Sequence, residues 1–142
     1  MSMPTATEPA KKAVKVILDS NALFVPLQFR IDIFEELPKL LNTNSEPVLL
    51  SPIKDELERL SKEGTAKAQK DANFALKLAE KCRLVEIGKT LGSPDDIIVR
   101  VASEWRCPVF TNDAGLKKRL RDINVPVIYV RQKSRLEIEG RL

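Results

Sequence analysis

A chain of 142 residues with 43% apolar and 31% charged residues is long enough to bury one core, and it holds no apolar run that could span a bilayer. Histidine is absent, which excludes Ser-His-Asp and Cys-His catalysis, paired-histidine acid–base chemistry and imidazole-ligated zinc. Without histidine any chemistry rests on carboxylates, lysines or oxygen-bound metal; net charge is +4, from 24 basic and 20 acidic residues.

Residues 1–12 begin small and polar and read as a flexible tail, not a signal peptide. Residues 14–19 (VKVILD) form a β-branched apolar run ending in an acid, the mark of a buried strand. A helical stretch over 22–41 follows, interrupted by Pro26 and Pro38, and then a short strand at 48–50. Ser51-Pro52 has the form of a cap plus first-turn proline and opens a helix that Gly64 closes. Residues 65–82 give a longer amphipathic helix and 84–87 a third strand. After the loop GKTLG, Ser93-Pro94 repeats the cap signal for a helix over 95–105. A fourth strand at 108–111, a short helix at 114–121 and a fifth strand at 125–130 complete the pattern.

Alternating strands and helices predict a single three-layer α/β/α domain with a mostly parallel five-stranded sheet over 13–133, followed by a charged, frayed tail at 134–142. Two scattered thiols, Cys82 and Cys107, form no metal or redox spacing and fit a reducing, cytoplasmic setting. No phosphate-cradling glycine loop is present.

Ligands of open parallel sheets bind beyond the carboxyl ends of the strands, and the acids concentrate there. Asp19 ends the first strand, where it serves equally as a helix cap. Glu56 lies between Ile53 and Leu60 on the inward stripe of its helix, while Asp55, Glu58 and Arg59 point away. A carboxylate there needs a lysine partner or a metal ion. Asp95 shares a face with Ile98 and Ala102, whereas Asp96 aligns with Arg100 and Ser103 and suits the helix dipole. Asp113 follows the fourth strand and is again a plausible cap. Gathered carboxylates repel unless a cation neutralises them, and an oxygen-only donor set favours Mg²⁺ or Mn²⁺. Setting these four acids aside leaves 24 basic against 16 acidic residues, or +8, on the remainder, which suits a polyanion, although surface solubility accounts for the overall charge equally well. Lys117, Lys118 and Arg121 either contact its phosphates at the Asp113 end of the sheet or form a solvated helix face. The few aromatics, among them Phe29, read as core.

The strand-terminal Asp19-Ser20-Asn21, Glu56 in SPIKDEL, the segment SPDDIIVRVASE and the TND at 111–113 together resemble the PIN-domain ribonucleases. DSNALFVPLQFRIDIFEEL and TNDAGLKKRLRDINVPVIYV are most similar to archaeal relatives of the PIN nuclease that processes small-subunit ribosomal RNA. The resemblance spans residues 14–131. It implies Mg²⁺- or Mn²⁺-dependent endoribonuclease activity on single-stranded RNA, with Asp19, Glu56, Asp95 and Asp113 as catalytic metal ligands. Asp96 stands beside the third acid as a candidate to share its load. Ser20, Asn21 and Thr111 are implied as hydrogen-bonding supports. RNA is the expected partner, with a homodimer, an antitoxin or ribosome-assembly proteins as further candidates, and no membrane. A toxin of a toxin–antitoxin pair and a catalytically idle RNA-binding scaffold are the alternative readings.

Overall fold

The computed structural model describes residues 13–88 and 92–142. The N-terminal tail, with Lys11 and Lys12, and most of the GKTLG loop lie outside the described residues. Six strands form one sheet: β1 (Val14–Leu18), β2 (Ser45–Leu50), β3 (Arg83–Val85), β4 (Val109–Phe110), β5 (Val127–Arg131) and β6 (Arg135–Glu139). Their order is β3-β2-β1-β4-β5-β6, and every pairing is parallel except β5 with β6. Successive residues of a strand face opposite sides. Val16, Ile17 and Leu18 are nevertheless all fully buried, so helices cover both faces of the sheet centre.

Those helices are α1 (Val25–Phe29), α2 (Ile33–Leu41), α3 (Ser51–Glu63), α4 (Ala66–Ala79), α5 (Pro94–Trp105) and α6 (Ala114–Asp122). The expected 22–41 helix is divided: a 3-10 turn at Ser20–Phe24 leads into α1, and a left-handed Arg30 (φ 57°) separates α1 from α2. Pro26 sits in the first turn of α1, where its missing N–H costs nothing, and Pro38 lies within α2.

The sequence-based expectation of five strands is corrected by β6, which occupies much of the segment expected to fray. Its sequence RLEIE alternates, placing Leu136 in the core at 7% exposure while Arg135 and Glu139 meet water. A three-residue turn lets it pair back on β5, and α2 packs against it. A second correction concerns Ser51. Leu50 occupies the cap position of α3 without a side-chain bond, and the Ser51 hydroxyl instead accepts the Ile87 N–H at 2.9 Å. Strand β2 ends at Leu50, opposite Val85, so β3 ends at Val85 and not at Ile87. Ser93 does cap α5, in a reciprocal capping box with Asp96. Burial disfavours the thiolate of both cysteines, raising Cys82 to about 12 and Cys107 to about 11.

Candidate active site

From β1 the chain steps to β2 and β3 on one side, then returns to place β4 on the other. The gap beyond the carboxyl ends of β1 and β4 is thus a topological switch point, the position where α/β sheets bind ligands. Asp19 leaves β1 there, its backbone N–H bonding the Phe110 carbonyl at 3.0 Å. Its side chain is 5% exposed and held by three donors. Oδ1 accepts the Ser20 N–H at 2.8 Å, and Oδ2 accepts Asn21 Nδ2 at 2.9 Å and Thr111 Oγ1 at 2.8 Å.

Thr111, fully buried at the end of β4, is the hub of this network. While donating to Asp19, its hydroxyl accepts the Asp113 N–H at 3.1 Å and Asn21 Nδ2 at 3.3 Å. Asn21 also accepts the Asn112 N–H at 3.0 Å, and Asn112 Oδ1 accepts the Val130 N–H at 2.8 Å. Asn112 therefore ties β4 to β5. Sequence reasoning passed over it, although an amide between a strand end and a helix cap was a visible signal. Ser20 contributes its backbone amide.

Asp113 caps α6, its Oδ2 accepting the Leu116 N–H at 2.7 Å, so Oδ1 is left for another partner. Glu56 and Asp95 are half-buried, and among the described residues neither side chain accepts a hydrogen bond or an ion pair. Their neighbours sort by helical phase: Ile53, Leu57, Ile98 and Ala102 are buried, whereas Asp55 and Arg59 are exposed. Glu58, expected to point to water, is half-buried, and its carbonyl accepts the Ser61 hydroxyl at 2.7 Å.

Electrostatics link the four acids across these elements. Burial is the main cause raising the Asp19 pKa above its ordinary value, and the charges of Glu56 and Asp113 add to it. The bonds from Thr111 and Ser20 oppose the rise. Asp95 is raised too, first by burial and then by Asp19 and Asp113, with Arg119 opposing. These carboxylates are close enough to perturb one another. Yet among the described residues no three acidic side chains are gathered tightly enough to hold a cation as they stand. Like charges resist closer approach without a counterion, and the all-oxygen donor set with spare lone pairs fits a hard divalent ion.

Asp96 has a different occupation. It is exposed, bonds the Ser93 N–H at 3.0 Å and pairs with Arg119 at 2.9 Å, and those contacts lower its pKa, the Ser93 backbone bond foremost. It closes the capping box of α5 with Ser93 and ties α5 to α6 through Arg119.

The basic run divides as well. Helix α6 starts at the rim and descends to the amino end of β5. Arg121 pairs at 3.3 Å with Glu139, which lies opposite Val127 at that lower end, and Lys118 pairs with Asp122 at 3.1 Å. The structure therefore does not bring Arg121 to the acids. Lys117, one turn from Asp113, stands near the rim with Nζ 4.3 Å from the Tyr129 ring centroid.

A family model described as a PIN-like domain matches residues 16–133. Ribonuclease VapC4 of Methanocaldococcus jannaschii is 39% identical over 129 residues, covering 89% of this chain and 97% of that protein. The rRNA-processing protein FCF1 of Saccharomyces cerevisiae is 28% identical over 124 residues, covering 84% of this chain and 61% of that protein. Among solved structures, the PIN domain endonuclease Utp24 superposes with a TM-score of 0.76 at 30% identity, covering 90% of this chain and 92% of that one.

Proposed function

The chain belongs to the PIN-like domain family, and from that premise we propose that it is an endoribonuclease hydrolysing phosphodiester bonds of single-stranded RNA. One observation carries the reading. A carboxylate is buried at the switch point, held by three donors, with three further carboxylates in electrostatic reach. Such a cluster is costly to fold unless it serves a cation.

Asp19, Glu56, Asp95 and Asp113 would hold Mg²⁺ or Mn²⁺, which supplies charge neutralisation at the cleaved phosphate and a more acidic water. The protein's own share is orientation. Thr111, Asn21 and the Ser20 amide fix the Asp19 carboxylate, and Asn112 fixes β4 against β5 behind it. Hydrolysis would leave 5′-phosphate and 3′-hydroxyl ends. The likeness to FCF1 and Utp24 favours a substrate in ribosomal RNA processing, with ribosome-assembly proteins as partners. A second reading, a toxin ribonuclease restrained by an antitoxin, rests on the near-full-length match to VapC4. Among the described residues no helix is long and apolar enough to cross a membrane.

Labelled single-stranded RNA incubated with Mn²⁺ should be cut, and both EDTA and Asp19→Asn should abolish cutting. Absence of metal-dependent cleavage by the native chain would leave an idle scaffold and sink the proposal. Cleavage confined to precursor ribosomal RNA would separate the processing role from a toxin, whose expression alone should arrest growth.

A further inference from the structure

We propose that the groove beside Asn21 and Asn112 is a nucleotide subsite, seating one nucleotide of the RNA strand next to the phosphate that is cut. It deepens the ribonuclease reading and rests on it for the identity of the strand. The groove holds about 440 Å³, within the range that takes a small organic ligand. It opens between α1, α6 and the β5–β6 hairpin, and the wall shared with the acids is made by Asn21 and Asn112. Both amides are fixed by the hydrogen bonds to Asp19, Thr111 and Val130, so that wall is rigid.

The other walls carry what a nucleotide needs. Phe29, only half-buried, offers a ring to a base, and Gln28 and Gln132 offer amides to its edges. Lys117 and Lys133 supply positive charge for flanking phosphates. Among the described residues neither lysine is tied to an acid, whereas Lys118, Arg119 and Arg121 all are. Among the cations of α6, Lys117 alone is thus left without an acid, and it lies on the groove side.

The hairpin adds an independent observation. Gln132 and Lys133 have φ of 53° and 58°, two successive left-handed residues in a turn closed by Ser134 N–H to the Arg131 carbonyl at 3.1 Å. Turns with two such residues favour Asn-Gly, because a Cβ is strained there. This chain instead places two long polar side chains at the lip of the groove. Strain of that kind persists where the side chains have work to do.

The test replaces the turn by the sequence its backbone prefers, Gln132→Asn with Lys133→Gly, and makes Lys117→Ala separately. RNA binding is read by anisotropy of a labelled single-stranded oligonucleotide in EDTA, apart from cleavage. The turn variant should melt a few degrees higher, on the order of the gain from relieved backbone strain. It should bind about tenfold more weakly, and each variant should lower the salt slope by about 0.7 per lost contact. Unchanged affinity and slope in both variants overturn the subsite while leaving the ribonuclease reading intact. The same holds if RNA binding is unchanged but a co-purifying protein is lost, which would assign the groove to a protein segment. Failure of the native chain to bind RNA also overturns it. Native binding without Mn²⁺-dependent cleavage would instead sink the nuclease and leave the subsite standing. If the turn variant fails to fold, Lys117→Ala decides by the same measurements.

Discussion

Replacing Thr111 with Val removes one hydroxyl and almost no volume, so the consequences are electrostatic. The hydroxyl donates to the buried Asp19 carboxylate at 2.8 Å and accepts the Asp113 N–H at 3.1 Å. Loss of the charge-assisted bond should cost about 1.5–3 kcal/mol, and the orphaned amide about 1 kcal/mol more. Asn21 still reaches Asp19 at 2.9 Å, so its own bond survives. A total near 3 kcal/mol corresponds to a fall of roughly 10 °C in melting temperature for a domain of this size. The penalty should depend on pH in a definite direction. The Asp19 pKa is raised in the folded state, and Thr111 is one of the groups restraining the rise. Without it the folded carboxyl binds its proton more tightly still, so the variant loses stability as pH rises from the unfolded pKa through the folded one, and then levels off. Calorimetry at about pH 4.5 and about pH 7.5 should show the larger deficit at the higher pH. Thr111→Ser, which keeps the hydroxyl, should recover most of it. Equal deficits at both pH values, or a deficit below about 0.5 kcal/mol, would refute the role assigned to this hydroxyl.

Mg²⁺ or Mn²⁺ at about a hundred times its dissociation constant should stabilise the fold by about 2.7 kcal/mol, reversibly with EDTA, because the site exists only in the folded state. No shift in melting temperature with either ion would exclude the cation site. Glu56→Gln should lose most RNA cleavage while Asp55→Asn, on the exposed face of α3, keeps it; equal activities would undo the assignment by helical phase. Truncation after Arg131 removes β6, uncovers the β5 edge and deletes the buried Leu136, whose loss alone should cost about 2–5 kcal/mol. The truncated chain should melt lower and aggregate on warming, as a bare sheet edge does; a soluble product of native melting temperature would deny β6 its structural part.

The sheet and the facing of the acids were legible because both follow local periodicity. Asp95 and Asp96 show this well: one residue of difference on a helix separates a half-buried carboxylate from an exposed partner of the Ser93 cap. What was not legible depended on partners distant in sequence. Ser51 looked like a cap until Ile87 claimed its hydroxyl. Arg121 looked like a rim cation, but the length of α6 carries it to the other end of the sheet, where Glu139 awaits it. The last strand escaped because RLEIE carries three charges in five residues, and its apolar alternation gains meaning only once β5 offers an edge. Lys117 was singled out, but nothing in the sequence distinguished it from Lys118; the ring of Tyr129 does.

The separation of 92 positions between Asp19 and Thr111 also bears, on the proposed ribonuclease reading, on when the site is assembled. A growing chain emerges at about 5–20 residues per second, so roughly 5–20 seconds separate the two groups at synthesis. Throughout that interval the ribosome, itself built largely of RNA, carries an Asp19 with no hydroxyl to orient it and no Asp113 beside it. On the proposed ribonuclease reading, a centre divided between Asp19 and Asp113 is complete only when β4 has closed against β1, so unfinished and proteolysed fragments would not cut.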